Sequence, residues 1–121
     1  MNLPIKFGTE GWRGIIADDF TFDNVRLCAQ GVAELIHRNK LKGEKSVLVG
    51  YDTRFGSESF AQIAAETIAH NGIPVYLSSK PAPTPVLSFN TKYHNYQAAI
   101  IITASHNSYK WNGFKLKLAY G

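Results

Sequence analysis

The run Ala98-Ala99-Ile100-Ile101-Ile102 is apolar at every position. A strand with one face in water alternates apolar and polar residues. An unbroken run suits a strand covered on both faces, as in a parallel or mixed sheet between helices. Ser46-Val47-Leu48-Val49-Gly50-Tyr51 is a second buried strand, and Ile73-Pro74-Val75-Tyr76-Leu77 reads as a third. Helical patterns separate them. That alternation predicts α/β architecture: a three-layer α/β/α sandwich with a mixed, mainly parallel sheet and helices on both faces. The 121 residues suffice for one domain with its own core.

The intervening helices carry their own signals. Thr21 is an N-cap candidate with Asp23 in the first turn. Val25, Cys28, Val32, Leu35 and Ile36 form an apolar stripe at helical spacing, and 39–43 ends that helix. Ser57 is placed to cap a second helix that runs to about His70, with Phe60, Ile63, Ala64 and Ile68 inward and Asn71-Gly72 as a left-handed stop. Thr84 as N-cap with Pro85 at the first helical position starts a third, which carries Val86, Leu87 and Phe89 and fades near Tyr93. Before all of these, Gly8, Gly11 and Gly14 crowd one short segment. Either a tight loop holds Trp12 and Arg13 outward, or the segment is a glycine-rich strand with a bulge.

Chemistry-bearing residues gather where strands end. After Ile102 the sequence turns abruptly to Thr103-Ala104-Ser105-His106-Asn107. In open α/β sheets, ligands bind just beyond the carboxyl ends of the strands. Asn112-Gly113 is a turn signal, because both residues tolerate positive φ. Phe114-Lys115-Leu116-Lys117-Leu118 then alternates, which puts Phe114, Leu116 and Leu118 on one strand face and both lysines on the other. Lys115 thus returns toward Ser105, an arrangement suited to handling a phosphoryl group. The same alternation also marks the solvated face of an edge strand. A second polar loop, Asp52-Thr53-Arg54-Phe55-Gly56-Ser57, follows Tyr51.

Charge narrows the partners. All nine acidic residues lie between Glu10 and Glu66, whereas the last 55 residues carry about +5 from lysines 80, 92, 110, 115 and 117. An anion-binding half is one explanation of this asymmetry, and chance drift in a small domain is another. Nucleic acid does not account for it: arginine is absent there, the lysines are dispersed, and no recognition motif is present. No apolar run approaches the ~20 residues of a membrane span. The first residues show no signal-peptide pattern, and the single cysteine, Cys28, has no internal disulfide partner. A cytoplasmic setting is expected.

Four segments together resemble a known family. Thr103-Ala104-Ser105-His106-Asn107 followed by Asn112-Gly113-Phe114-Lys115 is similar to the phosphoserine signature of the α-D-phosphohexomutases, the phosphoglucomutase/phosphomannomutase superfamily. Phe7-Gly8-Thr9-Glu10-Gly11-Trp12-Arg13-Gly14 resembles its N-terminal motif, Tyr51-Asp52-Thr53-Arg54 its second arginine loop, and Pro81-Ala82-Pro83-Thr84-Pro85 its Thr-Pro helix start. The resemblance covers essentially the whole chain, in the expected order. It implies the N-terminal, phosphoserine-bearing domain I over 1–121, incomplete at its C-terminal end. The implied reaction interconverts hexose 1-phosphate and hexose 6-phosphate through a bisphosphorylated sugar.

The resemblance also implies roles. Ser105 would carry the phosphoryl group, Lys115 would help move the proton of the attacking hydroxyl, and His106 would lie beside the transferring group. Arg13 and Arg54 would stabilise its negative charge, with Lys115 also contacting phosphate, although Arg54 could instead cap or pair with Asp52. Mg2+ would bind the Ser105 phosphate, with its aspartates in a further domain of the same polypeptide. Hexose 1,6-bisphosphate would be intermediate and activator. The loops that read the hexose lie outside this sequence, and 1–121 alone is expected to be inactive. Ser108 stands where the family usually has proline, which bears on loop stiffness but removes no catalytic group.

Two other readings compete. Ser105-His106 prompts a serine hydrolase, but adjacent side chains on extended backbone point apart and no Gly-x-Ser-x-Gly elbow is present. A non-catalytic sugar-phosphate sensor of mutase-like fold would not need a phosphorylatable serine together with Lys115.

Overall fold

The structure, a computed structural model, describes residues 11–17, 20–38, 44–54, 56–93, 96–104 and 111–118. Five strands and three helices follow in order: β1 (Gly11–Ile15), α1 (Phe22–Arg38), β2 (Glu44–Tyr51), α2 (Ser57–His70), β3 (Val75–Leu77), α3 (Thr84–Tyr93), β4 (Tyr96–Ile102) and β5 (Trp111–Leu118). The strands form one sheet in the order β1-β5-β4-β2-β3. β2 pairs in parallel with β3 and β4, whereas β5 runs antiparallel to both β4 and β1. Only β5 therefore points against the other described strands, and the mixed, mainly parallel sheet expected from the sequence is present.

The unalternating β4 is buried from Gln97 to Ile102. Ala98, Ile100 and Ile102 join one core with Val47, Val49, Phe114 and the inner faces of α1 and α2. Ala99 and Ile101 join a second with Leu48 and Leu87 of α3. The two faces carry different helices because of handedness. A crossover from β2 to β3 and one from β3 back to β4 travel in opposite directions across the sheet, and right-handed connections then lie on opposite faces.

Local signals held in part. The Thr21 hydroxyl accepts the backbone N–H of Asn24, as an N-cap should. Gly72, at φ 76°, follows the last turn of α2. Leu35 stands exposed, because Ala29 and Ala33 move the buried stripe of α1 round the helix. Ser57 does not cap α2: Gly56 holds the cap position and the Ser57 hydroxyl is used elsewhere. Trp12 and Arg13 do not project together from a loop. They lie on strand β1 and point to opposite faces, with Trp12 buried and stacked on Phe20 at 4.8 Å and Arg13 exposed. The stretch before Gly11, 39–43, and the side chains of Phe89 and Leu118 lie outside the described residues.

Asn112-Gly113 is not a turn. Both residues lie within β5, and neither has positive φ. Gly113 is required for close approach instead: a Cβ there would sit 2.5 Å from the Thr103 carbonyl oxygen and 3.0 Å from both the Trp12 oxygen and Arg13 Cγ. Two of those contacts are backbone and cannot yield cheaply. Gly113→Ala is therefore expected to destabilise the protein by about 1–3 kcal/mol. Urea unfolding checks this, and an unchanged midpoint and slope would contradict the crowding described here.

Candidate active site

β5 lies inside the sheet, between β1 and β4. Lys115 faces Gly11 on one side and Ile101 on the other, and only 8% of it is exposed. The solvated-edge reading of the alternating lysines is thereby overturned, since β5 is not an edge strand. Arg13 pairs with Gly113, one step along the same face as Lys115. Arg13 and Lys115, together with Gly11 and Trp12, line a cleft of about 210 Å³. A Cβ at Gly11 would meet the Phe114 oxygen at 2.0 Å, so glycine is what lets β1 approach β5 at the cleft wall.

This cleft lies toward the carboxyl edge of the sheet. The β2–β4 ladder continues one bond beyond Tyr51, where the Asp52 N–H donates to the Ile102 carbonyl at 3.2 Å. From there β4 passes through Thr103 and Ala104, both buried, toward Ser105. Ser105 and His106 lie outside the described residues.

Arg54 is not in the cleft. Its Nε donates to Asp52 Oδ2 at 3.0 Å, and its backbone N–H donates to Oδ1 at 3.0 Å. The same carboxylate accepts the Thr103 hydroxyl at 2.6 Å and the Ser57 hydroxyl at 2.7 Å. Asn112 is fully buried and donates its Nδ2–H to Ser57 Oγ at 2.9 Å. The sequence allows for the Arg54–Asp52 pair found here, but not for the rest of the cluster. The one local signal was a carboxylate in a short polar loop at a strand's carboxyl end. Its partners sit 51 residues away at Thr103 and, through Ser57, 55 residues further at Asn112.

Burial alone would raise the Asp52 carboxyl. The hydroxyls of Thr103 and Ser57, with the backbone and side chain of Arg54, outweigh it and hold the group below its ordinary value of 3.8. Among the described residues no cluster of three or more His, Cys, Asp or Glu is placed to hold a metal ion. Asp52 is committed to four donors and so is not available as a ligand for Mg2+. Cys28 is buried, which pushes its thiol up to about 12 and leaves it unreactive. No helix among the described residues is long and apolar enough to cross a membrane.

The described strands and helices form an α/β/α domain with a cleft lined by two cations near a strand end. The comparisons make it particular. Residues 4–121 match the family described as phosphoglucomutase/phosphomannomutase, alpha/beta/alpha domain I, and the chain belongs to that family. The phosphoglucomutase of Staphylococcus saprophyticus is 37% identical over 115 residues, covering 93% of this chain and 20% of that protein. A Haemophilus influenzae protein bearing the name phosphomannomutase is 40% identical over 97 residues, covering 78% of this chain and 19% of its own length. The crystal structure of a Thermus thermophilus protein bearing the same name superposes with a TM-score of 0.91 at 38% identity. It covers 98% of this chain and 26% of that one. The chain spans about a fifth of the length of the curated relatives it matches.

A depressed native pKa contributes stability that is full above the unfolded value and is lost as pH falls through the native value. The stability difference between wild type and Asp52→Asn is therefore expected to be constant above about pH 5 and to shrink below about pH 4. Urea unfolding across that range measures it. A difference that widens on acidification would contradict the assigned direction.

Proposed function

We propose that this chain is the phosphoryl-carrying domain I of a phosphohexomutase that interconverts hexose 1-phosphate and hexose 6-phosphate. The observation that carries the reading is the buried Lys115 beside Arg13 in one cleft, on the strand adjoining the one that leads to Ser105. Two cations lining one cleft suit an anionic phosphoryl group.

In this mechanism the free hydroxyl of the sugar monophosphate attacks the phosphorus on Ser105. The new P–O(sugar) bond forms as the P–O(Ser105) bond breaks, and Lys115 moves the hydroxyl's proton toward the departing Ser105 Oγ. The bisphosphate then presents its other phosphate; Ser105 Oγ attacks that phosphorus as its P–O(sugar) bond breaks, and the serine proton passes to the sugar oxygen. Phosphoryl transfer of this kind depends on positioning and cationic stabilisation. Arg13 supplies fixed donors at the cleft. Arg54 lies outside the cleft, held by Asp52, and would add to the stabilisation of phosphoryl charge only from there, while His106 acts beside Ser105.

The Ser105 phosphate would hold Mg2+, which would supply neutralisation of charge on the phosphoryl oxygens. The Ser105 phosphate would be one ligand, with carboxylates from other domains of the polypeptide. Hexose 1,6-bisphosphate is intermediate and activator, and the setting is cytoplasmic, in keeping with an unpaired, unreactive Cys28.

Three outcomes test this. In the natural polypeptide, Ser105→Ala abolishes label uptake from phosphate-labelled glucose 1,6-bisphosphate, and Lys115→Met lowers kcat by about 10²–10⁴. Label still taken up by Ser105→Ala, or unchanged turnover in Lys115→Met, would sink the assignment. Residues 1–121 alone are expected to give no turnover of glucose or mannose 1-phosphate, and robust turnover would show that the other domains are dispensable.

A further inference from the structure

The Asp52 cluster closes on itself. The Thr103 hydroxyl and the Ser57 hydroxyl donate to opposite oxygens of Asp52, at 2.6 and 2.7 Å. Ser57 Oγ accepts from Asn112 Nδ2 at 2.9 Å, and Asn112 Oδ1 accepts from the Gly113 N–H at 2.8 Å. The Gly113 carbonyl accepts from the Thr103 N–H at 3.0 Å, which completes a ring of five residues. Thr103 stands just before the segment that carries Ser105, and Asn112 and Gly113 stand just after it. The ring therefore ties both stems of that segment to the end of β2 and the start of α2.

The polarity of the ring is set by one group. An ionised carboxylate only accepts, so both hydroxyl protons must point at it. Ser57 then has its lone pair left for Asn112 Nδ2, and this orientation aims Asn112 Oδ1 at Gly113 N–H. An amide in place of the carboxylate would turn a donor toward at least one existing donor. The ring would then lose a bond on buried groups, where unmade bonds are most costly. Arg54 shares Oδ2 with Thr103, so the guanidinium is oriented by the oxygen that fixes the loop stem.

We infer that Asp52 is a positioning residue: through this ring it clamps together the two stems of the Ser105 segment and sets Arg54 relative to it. This rests on the reading of Ser105 as the phosphoryl carrier. In this role Asp52 acts through the ring and not by contact with the reacting atoms. Its part is to keep the serine and the cleft of Arg13 and Lys115 in register, since a misplacement near 1 Å costs about 10² in rate.

The test uses the natural polypeptide as wild type, Asp52→Asn, Thr103→Val and Thr103→Ser. Each is given glucose or mannose 1-phosphate with labelled glucose 1,6-bisphosphate, and Ser105 label, kcat and KM are followed. Asp52→Asn and Thr103→Val are expected to lose about 10² in kcat with KM changed less than about threefold. Thr103→Ser, which restores the hydroxyl, is expected to recover kcat to within about threefold of wild type. Should Asp52→Asn fail to fold, Thr103→Val carries the test, because it removes one hydroxyl and keeps the shape. Wild-type kcat in Thr103→Val, or no recovery in Thr103→Ser, overturns the inference while leaving Ser105 in its role. Absence of label on wild-type Ser105 overturns the phosphoryl-carrier reading, and this inference with it.

Discussion

Strand β5 runs against the direction of the rest of the sheet, and the site depends on that insertion. Pairing with β1 on one side and β4 on the other removes both edges of β5 from solvent. Lys115 is then buried, Arg13 comes onto the same face one step away, and Gly113 is squeezed between Thr103, Trp12 and Arg13. An antiparallel neighbour for β4 also gives the segment that carries Ser105 two anchored stems. A parallel neighbour would have needed a long crossover there. The cleft is thus a consequence of strand order, with its chemistry supplied by side chains that would be ordinary surface residues on an edge.

The second dependency is electrostatic. Asp52 is mostly shielded from water yet stays ionised, because four donors converge on it. Those donors come from its own loop, from the first residue of α2 and from the end of β4. One carboxylate therefore joins the loop after β2 to the segment that begins at Thr103. The helices on either face supply the apolar burial that makes such a cluster worth satisfying completely.

Much of this was legible in the residues. The unbroken 98–102 run announced a doubly covered strand, and its odd and even residues do divide between two cores. Thr21 and Gly72 bounded helices as their chemistry suggests. What misled was local ambiguity that only long-range pairing decides. Asn112-Gly113 has the composition of a turn, but the same glycine also serves where three backbones crowd. Alternating lysines describe an edge strand until another strand covers the edge. Ser57 has the right residue type for a cap, but a carboxylate five residues earlier takes its hydroxyl. The glycines around Trp12 allowed either a loop or a strand, and only a partner strand a hundred residues on decides for the strand. The four motif segments were specific enough to name the family, and Ser105 and His106 themselves rest on that resemblance.

The central claim is that Lys115 and Arg13 form the seat for a phosphoryl group carried by Ser105. A crystal structure of the natural polypeptide phosphorylated on Ser105 tests it most directly. The expected result is a seryl phosphate within hydrogen-bond reach, about 2.7–3.2 Å, of Lys115 Nζ or the Arg13 guanidinium. A phosphoserine turned away from this cleft, with neither cation within reach of its oxygens, would contradict it.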